Sequence, residues 1–288
     1  MASAQTLRPL LRPWLSALRQ RSEHTARNYD VCVRRFLDEL GDRELDPDAV
    51  GDYLESLRGL APGSRAAHIS AVRSFLRVAQ SQGLIEKSPV DLLIRPCVAI
   101  TSYGRYLDVD ELRQLIAAAR ALSPTHYAIV LLLAGTGLRV SEAAGAEWRD
   151  VYRDPAGRVG LRVIGKGGKE RVVKIRADVL AALAHLHGTD ELDASDRTPL
   201  FPSPRGGAYT AWALWAKTRE AVEKSGISKP ASCHWLRHSH ATLAAHGGSS
   251  AFEIMDALGH SKLETSQRYV HMAVGLQHTT VDALPAFE

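Results

Sequence analysis

The sequence predicts a mainly α-helical protein of two domains, with one small β-hairpin in the second. Three observations predict it. At 288 residues the chain is long for one domain and comfortable for two. Apolar residues recur at helical spacing on both sides of an irregular stretch, residues 88–106,. Only residues 159–176 alternate apolar and polar in the manner of strands,.

The first half predicts four helices. Residues 7–20 carry the stripe Leu7, Leu11, Trp14, Leu15 and Leu18,. Ser22 or Thr25 caps a second helix through Tyr29, Val33, Phe36, Leu37 and Leu40, and Gly41 stops it,. Asp46-Pro47 starts a third, holding Val50, Tyr53, Leu54 and Leu57, with proline where a missing N–H costs little,. Ser64 opens a fourth, with Ile69, Val72, Phe75, Leu76 and Ala79 inward, Arg65, Arg73 and Arg77 outward, and Gly83 as its stop,. An arginine-bearing helical face is ordinarily solvated surface. Two prolines, a glycine and no sustained period mark 88–106 as the boundary region,. We take residues 1–94 as one domain, 95–106 as linker and 107–288 as the second domain.

Beyond the linker, Asp108 caps a helix, and Pro124 begins a strongly apolar one that is too short to span a membrane,. That helix ends in the turn Gly135-Thr136-Gly137. Arg139 then stands at the next helix start, where N–H groups also favour an anion, with Glu142 three positions on,. The plain alternative is a surface Arg–Glu pair of little energetic weight. Gly165-Lys166-Gly167-Gly168-Lys169 supplies the hairpin turn and carries Lys166 at its tip,. The spacing of a nucleotide-binding P-loop is absent. A helix over 177–187, a loop over 188–208 and a helix over 210–226 follow, the last with Trp212, Leu214 and Trp215 as core candidates.

The stretch Cys233 to His271 gathers His234, Arg237, His238, His260 and Tyr269 within forty residues. With Ser232 as cap, His234, Arg237 and His238 fall on one helical face and Leu236 and Leu243 on the other, so that one face packs and the other is open to chemistry. Gly247-Gly248 ends that helix. Ser250 starts a short one reaching Gly259-His260, and Tyr269 follows on a last polar turn.

Composition adds weak constraints. Lys and Arg total 36 against 32 acidic residues, with a net charge of +4. Arginine predominates over lysine, which suits bidentate grip on phosphates without proving nucleic-acid binding. No long apolar run or secretory leader is present, so a cytoplasmic protein is expected. Cys32, Cys97 and Cys233 lack paired spacing and read as reduced thiols,.

Together, Gly135-Thr136-Gly137-Leu138-Arg139-Val140-Ser141-Glu142, Gly165-Lys166-Gly167-Gly168-Lys169-Glu170-Arg171, His234-Trp235-Leu236-Arg237-His238, Leu258-Gly259-His260-Ser261 and Tyr269-Val270-His271 resemble the tyrosine recombinase (phage integrase) family in order and spacing. The resemblance covers about Arg105 to His271, and the N-terminal helices look like the family's core-site-binding domain. It implies a C-shaped two-domain clamp on duplex DNA. It also implies roles. Tyr269 would be the nucleophile forming a 3′-phosphotyrosyl intermediate. Arg139 and Arg237 would grip the non-bridging oxygens. Lys166 would be the general acid, His234 would accept a proton or hydrogen bond around the tyrosine, and His260 would donate to the phosphate. Glu142 and His238 would support these groups from behind. Arg65, Arg73 and Arg77 are candidate DNA contacts. No cofactor, metal or ATP is implied.

The compact length resembles the Xer proteins that resolve chromosome or plasmid dimers, without the added arm-binding domain of larger phage integrases. Partners implied are double-stranded DNA with an inverted-repeat core site and a tetramer of identical or paralogous subunits on two sites, with no membrane and a nucleoid-associated location. Trp235 departs from the small polar or acidic residue often found there. The tail after Tyr269, with Val274, Leu276, Val281, Leu284 and Phe287, either docks on a neighbouring subunit or packs in cis,. Alternatives are an integrase of phage or transposon type, a DNA-binding protein without the chemistry, a type IB topoisomerase, and a zinc protein using His234, His238 and His260.

Overall fold

The structure, a computed structural model, describes residues 2–86, 88–97, 104–165 and 168–274. The chain divides into two compact units, Met1–Ile100 and Thr101–Glu288.

The first unit is helical. Its elements are α1 (Ala4–Arg19), α2 (Glu23–Leu40), α3 (Pro47–Ser56) and α4 (Pro62–Ser81), followed by a short 3-10 turn at Pro89–Leu92. Ser22 caps α2 by accepting from the Thr25 N–H at 3.2 Å. Asp46 caps α3 through the Ala49 N–H at 2.7 Å. The fourth helix begins at Pro62, two residues before the Ser64 start expected, because proline's fixed φ already suits a first helical position,. Trp14 meets Phe75 edge-on at 5.3 Å and Phe36 meets Tyr53 at 5.0 Å, which fixes the core by specific ring geometry as well as by area.

Two of the three outward arginines differ from expectation. Arg73 is half-buried and its Nη1 donates to the Leu93 carbonyl at 2.8 Å. The 3-10 turn lies against α4 and brings that carbonyl to it, a packing the helical period alone does not contain. Arg65 is also half-buried, with its Nε enclosed and without a hydrogen-bond partner among the described residues. Arg77 is exposed as predicted.

The second unit wraps helices around α6 (Pro124–Thr136), after α5 (Val109–Leu122). Residues Ala128 to Leu133 of α6 are all buried, so the helix is apolar on every side because it is packed on every side. Next come α7 (Val140–Gly145), a three-stranded antiparallel sheet of β1 (Val151–Arg153), β2 (Val159–Ile164) and β3 (Glu170–Lys174), and α8 (Ala177–His187). The chain continues through α9 (Ala211–Ser225), α10 (Cys233–His246), α11 (Ala251–Leu258) and α12 (Leu263–Val274). The hairpin is where the alternation placed it. The strand β1 was not predicted, since three residues cannot display a period.

Register places Leu161 opposite Val173 and Val163 opposite Arg171. Leu161, Val163 and Val173 are buried, so Arg171 shares their inward face. Trp212, expected in the core, is 73% exposed. The buried stripe of α9 runs through Leu214, Thr218, Ala221 and Val222. At about 100° per residue, Trp212 lies roughly 200° away from Leu214. Trp215 packs partly against the core, as does Trp235. Among the described residues no helix is long and apolar enough to cross a membrane.

Candidate active site

Four segments converge in the second unit: the α6–α7 turn, the sheet, α10, and the α11–α12 corner. Arg139 sits at the N-cap of α7, and its backbone N–H donates to Glu142 Oε2 at 2.8 Å while its Nη1 donates to Oε1 at 2.8 Å. Its side chain stays 40% exposed, whereas that of Glu142 is only 4% exposed. The same carboxylate receives both Nη atoms of Arg171, at 2.9 and 2.8 Å. The surface-pair alternative therefore fails, because Glu142 is the buried anion between two arginines. Burial alone would raise its pKa. The bonds from Arg171 and from the Arg139 backbone and side chain outweigh that and hold it below the ordinary glutamate value,.

Arg171 also donates its Nε to the Ala257 carbonyl at 3.0 Å. One side chain thus joins β3, α7 and the end of α11. Gly259 follows that end with φ +64°, and a Cβ there would meet Arg171 at 3.0 Å, so glycine serves both the left-handed turn and the close approach.

Arg237 is only 4% exposed, not displayed on an open helix face as the spacing suggested. Its Nη1 donates to the Gly137 carbonyl at 2.8 Å and its Nη2 to the Leu258 carbonyl at 2.6 Å. Burial, and then the nearby Arg139, lower its pKa to about 10, which leaves it charged at neutral pH. Gly137 adopts φ +64°, and a Cβ there would lie 2.5 Å from Leu258. A side chain at 137 would separate α6 from the α10–α11 corner.

Tyr269, on α12, is 7% exposed. Its hydroxyl lies 2.6 Å from Nδ1 of His238. Sequence reasoning gave His234 the tyrosine and His238 a supporting place. The structure puts His238 on the hydroxyl, with His234 next to it, ring centroids 4.4 Å apart. The His238 pKa is pushed down to about 4, by burial first and then by His234, Arg237 and Arg105. A neutral ring at pH 7 can accept the tyrosine's proton at Nδ1. Burial raises the Tyr269 pKa, against the pull of Arg237 and Arg268, so the phenol needs such an acceptor to become a nucleophile. His234 is more open, and its pKa is lowered by burial and then by Arg237, Arg139 and Arg105.

His260 stacks on Tyr269, centroids 6.3 Å apart and rings 13° from parallel. Its Nδ1 is 2.8 Å from Ser266 Oγ, and burial, then Arg237 and Arg139, push its pKa down to about 4. Beside these groups lies a groove of about 480 Å³ lined in part by Arg139, Lys169, Arg171, His260 and Thr265.

Lys166 and the tail from residue 275 lie outside the described residues. The described candidates Arg139, Glu142, His234, Arg237, His238, His260 and Tyr269 come together. Arg65, Arg73 and Arg77 belong to the other unit. Among the described residues, no three His, Cys, Asp or Glu side chains are grouped to hold a metal ion. Sequence reasoning passed over Arg171 as a positioning group, although the alternation of β3 marks it as inward. The pairing of His238 with Tyr269, thirty-one residues apart, had no local signal.

Known proteins resemble this chain along most of its length. The model of the phage integrase family matches residues 105–275, and that of the phage integrase N-terminal SAM-like domain matches residues 13–83. Tyrosine recombinase XerC of Myxococcus xanthus is 34% identical over 286 residues, covering 93% of this chain and 94% of that protein. Tyrosine recombinase XerD of Corynebacterium glutamicum is 31% identical, covering 92% and 94%. Among solved structures, a lambda integrase tetramer bound to a Holliday junction superposes with a TM-score of 0.72 at 20% identity, covering 91% of this chain and 76% of that one. The chain therefore belongs to the phage integrase family, that of the tyrosine recombinases.

Proposed function

We propose that the protein is a site-specific DNA recombinase that cuts and rejoins duplex DNA through a 3′-phosphotyrosyl intermediate, in an Xer-like role of dimer resolution. The observation that carries the chemistry is the Tyr269 hydroxyl held 2.6 Å from His238 Nδ1, beside Arg139 and Arg237. In the forward step His238 takes the phenolic proton, and the Tyr269 oxygen attacks phosphorus. Phosphate brought near the ring raises the imidazole pKa and makes that transfer easier. Arg139 and Arg237 hold the non-bridging oxygens where charge accumulates, and His260 donates to one of them. As the P–O5′ bond breaks, Lys166 delivers a proton to the leaving oxygen. The phosphotyrosyl bond keeps the energy of the phosphodiester, so an incoming 5′-hydroxyl reseals it without ATP.

The Xer-like assignment is supported by identity with XerC and XerD along nearly the whole chain. Assembly as a tetramer is supported by the likeness to a lambda integrase tetramer bound to a Holliday junction, and in our reading its subunits are identical or paralogous and sit on two inverted-repeat core sites. In this reading residues 1–94 supply core-site contacts, residues 95–106 link, residues 107–288 cut, and the protein works at the nucleoid in the cytoplasm.

The test is a suicide DNA substrate, nicked so that the cleaved end diffuses away, drawn from host DNA retained by the protein. A covalent protein–DNA band on a denaturing gel, absent with Tyr269→Phe, is expected. Sequence-specific binding with no such band, even with partner subunits added, would leave a DNA-binding protein in its place.

A further inference from the structure

One guanidinium near the site has no place in the scheme above. Arg105 precedes α5 and is exposed. The carboxylates that follow it are engaged elsewhere. Asp108 caps α5 through the N–H groups of Asp110 and Glu111. Asp110 pairs with Arg113 at 2.7 Å and Glu111 with Lys229 at 2.6 Å. Among the described residues, none forms an ion pair with Arg105.

The backbone around Arg105 is fastened to the catalytic unit. The Leu107 N–H donates to Ser239 Oγ at 2.8 Å, and Leu107 is fully buried. Lys229 donates to the Tyr106 carbonyl at 3.3 Å and lies 5.7 Å from the centre of the Tyr106 ring. Ser239 directly follows His238 on α10. Two residues of chain span at most about 7 Å, so the Arg105 backbone is tethered within reach of the histidine that touches Tyr269. The pKa values of His234 and His238 are lowered by burial first, then by neighbouring charged groups, among which Arg105 comes last.

We infer that Arg105 is a further phosphate-binding residue of the cleavage site, gripping the scissile phosphodiester or its immediate neighbour on the His234–His238 side. The inference rests on the recombinase reading and deepens it. Arg139 is aligned by Glu142 and Arg237 by two carbonyls. Arg105 is placed by the bonds of the adjoining Tyr106 and Leu107, and among the described residues its guanidinium has no bonded partner, so it is left for an acceptor brought by the DNA. Arg105, just ahead of α5, then belongs to the active site.

A cycle combining protein variants with neutralised phosphates tests this. Single-turnover covalent-complex formation is compared for the wild-type protein, Arg105→Ala and Arg105→Lys on the unmodified suicide substrate. The comparison is repeated on substrates carrying one uncharged methylphosphonate at the scissile position or at either flanking position. Arg105→Ala should slow the unmodified reaction roughly 10- to 100-fold, the range for one charge-assisted contact, and Arg105→Lys should recover part of it. On one modified substrate the wild-type protein and Arg105→Ala should react at the same rate, which identifies the phosphate contacted. Unchanged rates for Arg105→Ala overturn the inference. So does an equal slowing on every substrate, the signature of a general loss of folded protein. Absence of a covalent band from the wild-type protein itself overturns the recombinase reading and this inference with it.

Discussion

Replacing Arg171 by glutamine removes a charge whose side chain is only 9% exposed and whose partner, Glu142, is 4% exposed. Breaking a buried ion pair by deleting one member typically costs about 3–5 kcal/mol, because the other charge stays buried. Glu142 keeps two bonds from Arg139 in the variant, so the lower end, about 3 kcal/mol, is expected. In a unit of this size about 1 kcal/mol shifts the melting temperature by about 2–4 °C, so a fall of about 6–12 °C follows. Thermal unfolding followed by circular dichroism reads it directly. The pH dependence has a definite sign. Glu142 titrates lower when folded, so its contribution is present above the ordinary glutamate value of about 4.3 and is lost as pH falls through the folded value. The gap between wild-type and Arg171→Gln should therefore narrow below about pH 4.3. A shift under about 2 °C, or a gap that persists unchanged at about pH 3, would refute the claim that this pair holds the site together.

Other expectations follow from the same geometry. His238→Ala should slow covalent-complex formation about 10²- to 10⁴-fold, the range for a lost proton acceptor, and more than His234→Ala does. With the wild-type protein, the single-turnover rate should fall as pH drops through the imidazole pKa of the DNA complex, since a protonated ring cannot accept. In the first unit, Arg73→Ala should lower stability to urea by about 1–3 kcal/mol, through loss of its bond to the Leu93 carbonyl, while leaving the salt dependence of DNA binding intact. Arg77→Ala should do the reverse, reducing the slope of log affinity against log salt by about 1 if Arg77 meets a phosphate.

Most of the helical scaffold is written locally. Asp46 and Asp108 make the capping bonds that their residue types advertise, and α8 spans the residues its pattern indicates. The failures share a cause. Arg73, Trp212 and Arg237 were each placed by the period of their own helix, and each is governed by a neighbour. A passing turn offers Arg73 a carbonyl, a shifted packing stripe frees Trp212, and two helix ends enclose Arg237. The candidate residues of the site were legible as types, but their division of labour was not. Whether His234 or His238 meets Tyr269 depends on how α12 crosses α10, which no local pattern encodes.

The two carbonyls that hold Arg237 are placed at helix ends. Leu258 is the last residue of α11, and Gly137 caps α6 at its C-terminus. Helix C-termini expose unpaired carbonyls carrying a partial negative charge. The guanidinium is therefore held by the fold itself, mostly out of solvent, independently of any DNA. An arriving phosphodiester meets a cation that is already largely buried and oriented by two carbonyl bonds. The reorganisation energy of the reaction is thus lowered at this residue by the way two helices stop. Any change that re-solvates those ends should raise the barrier even with every reacting group still present.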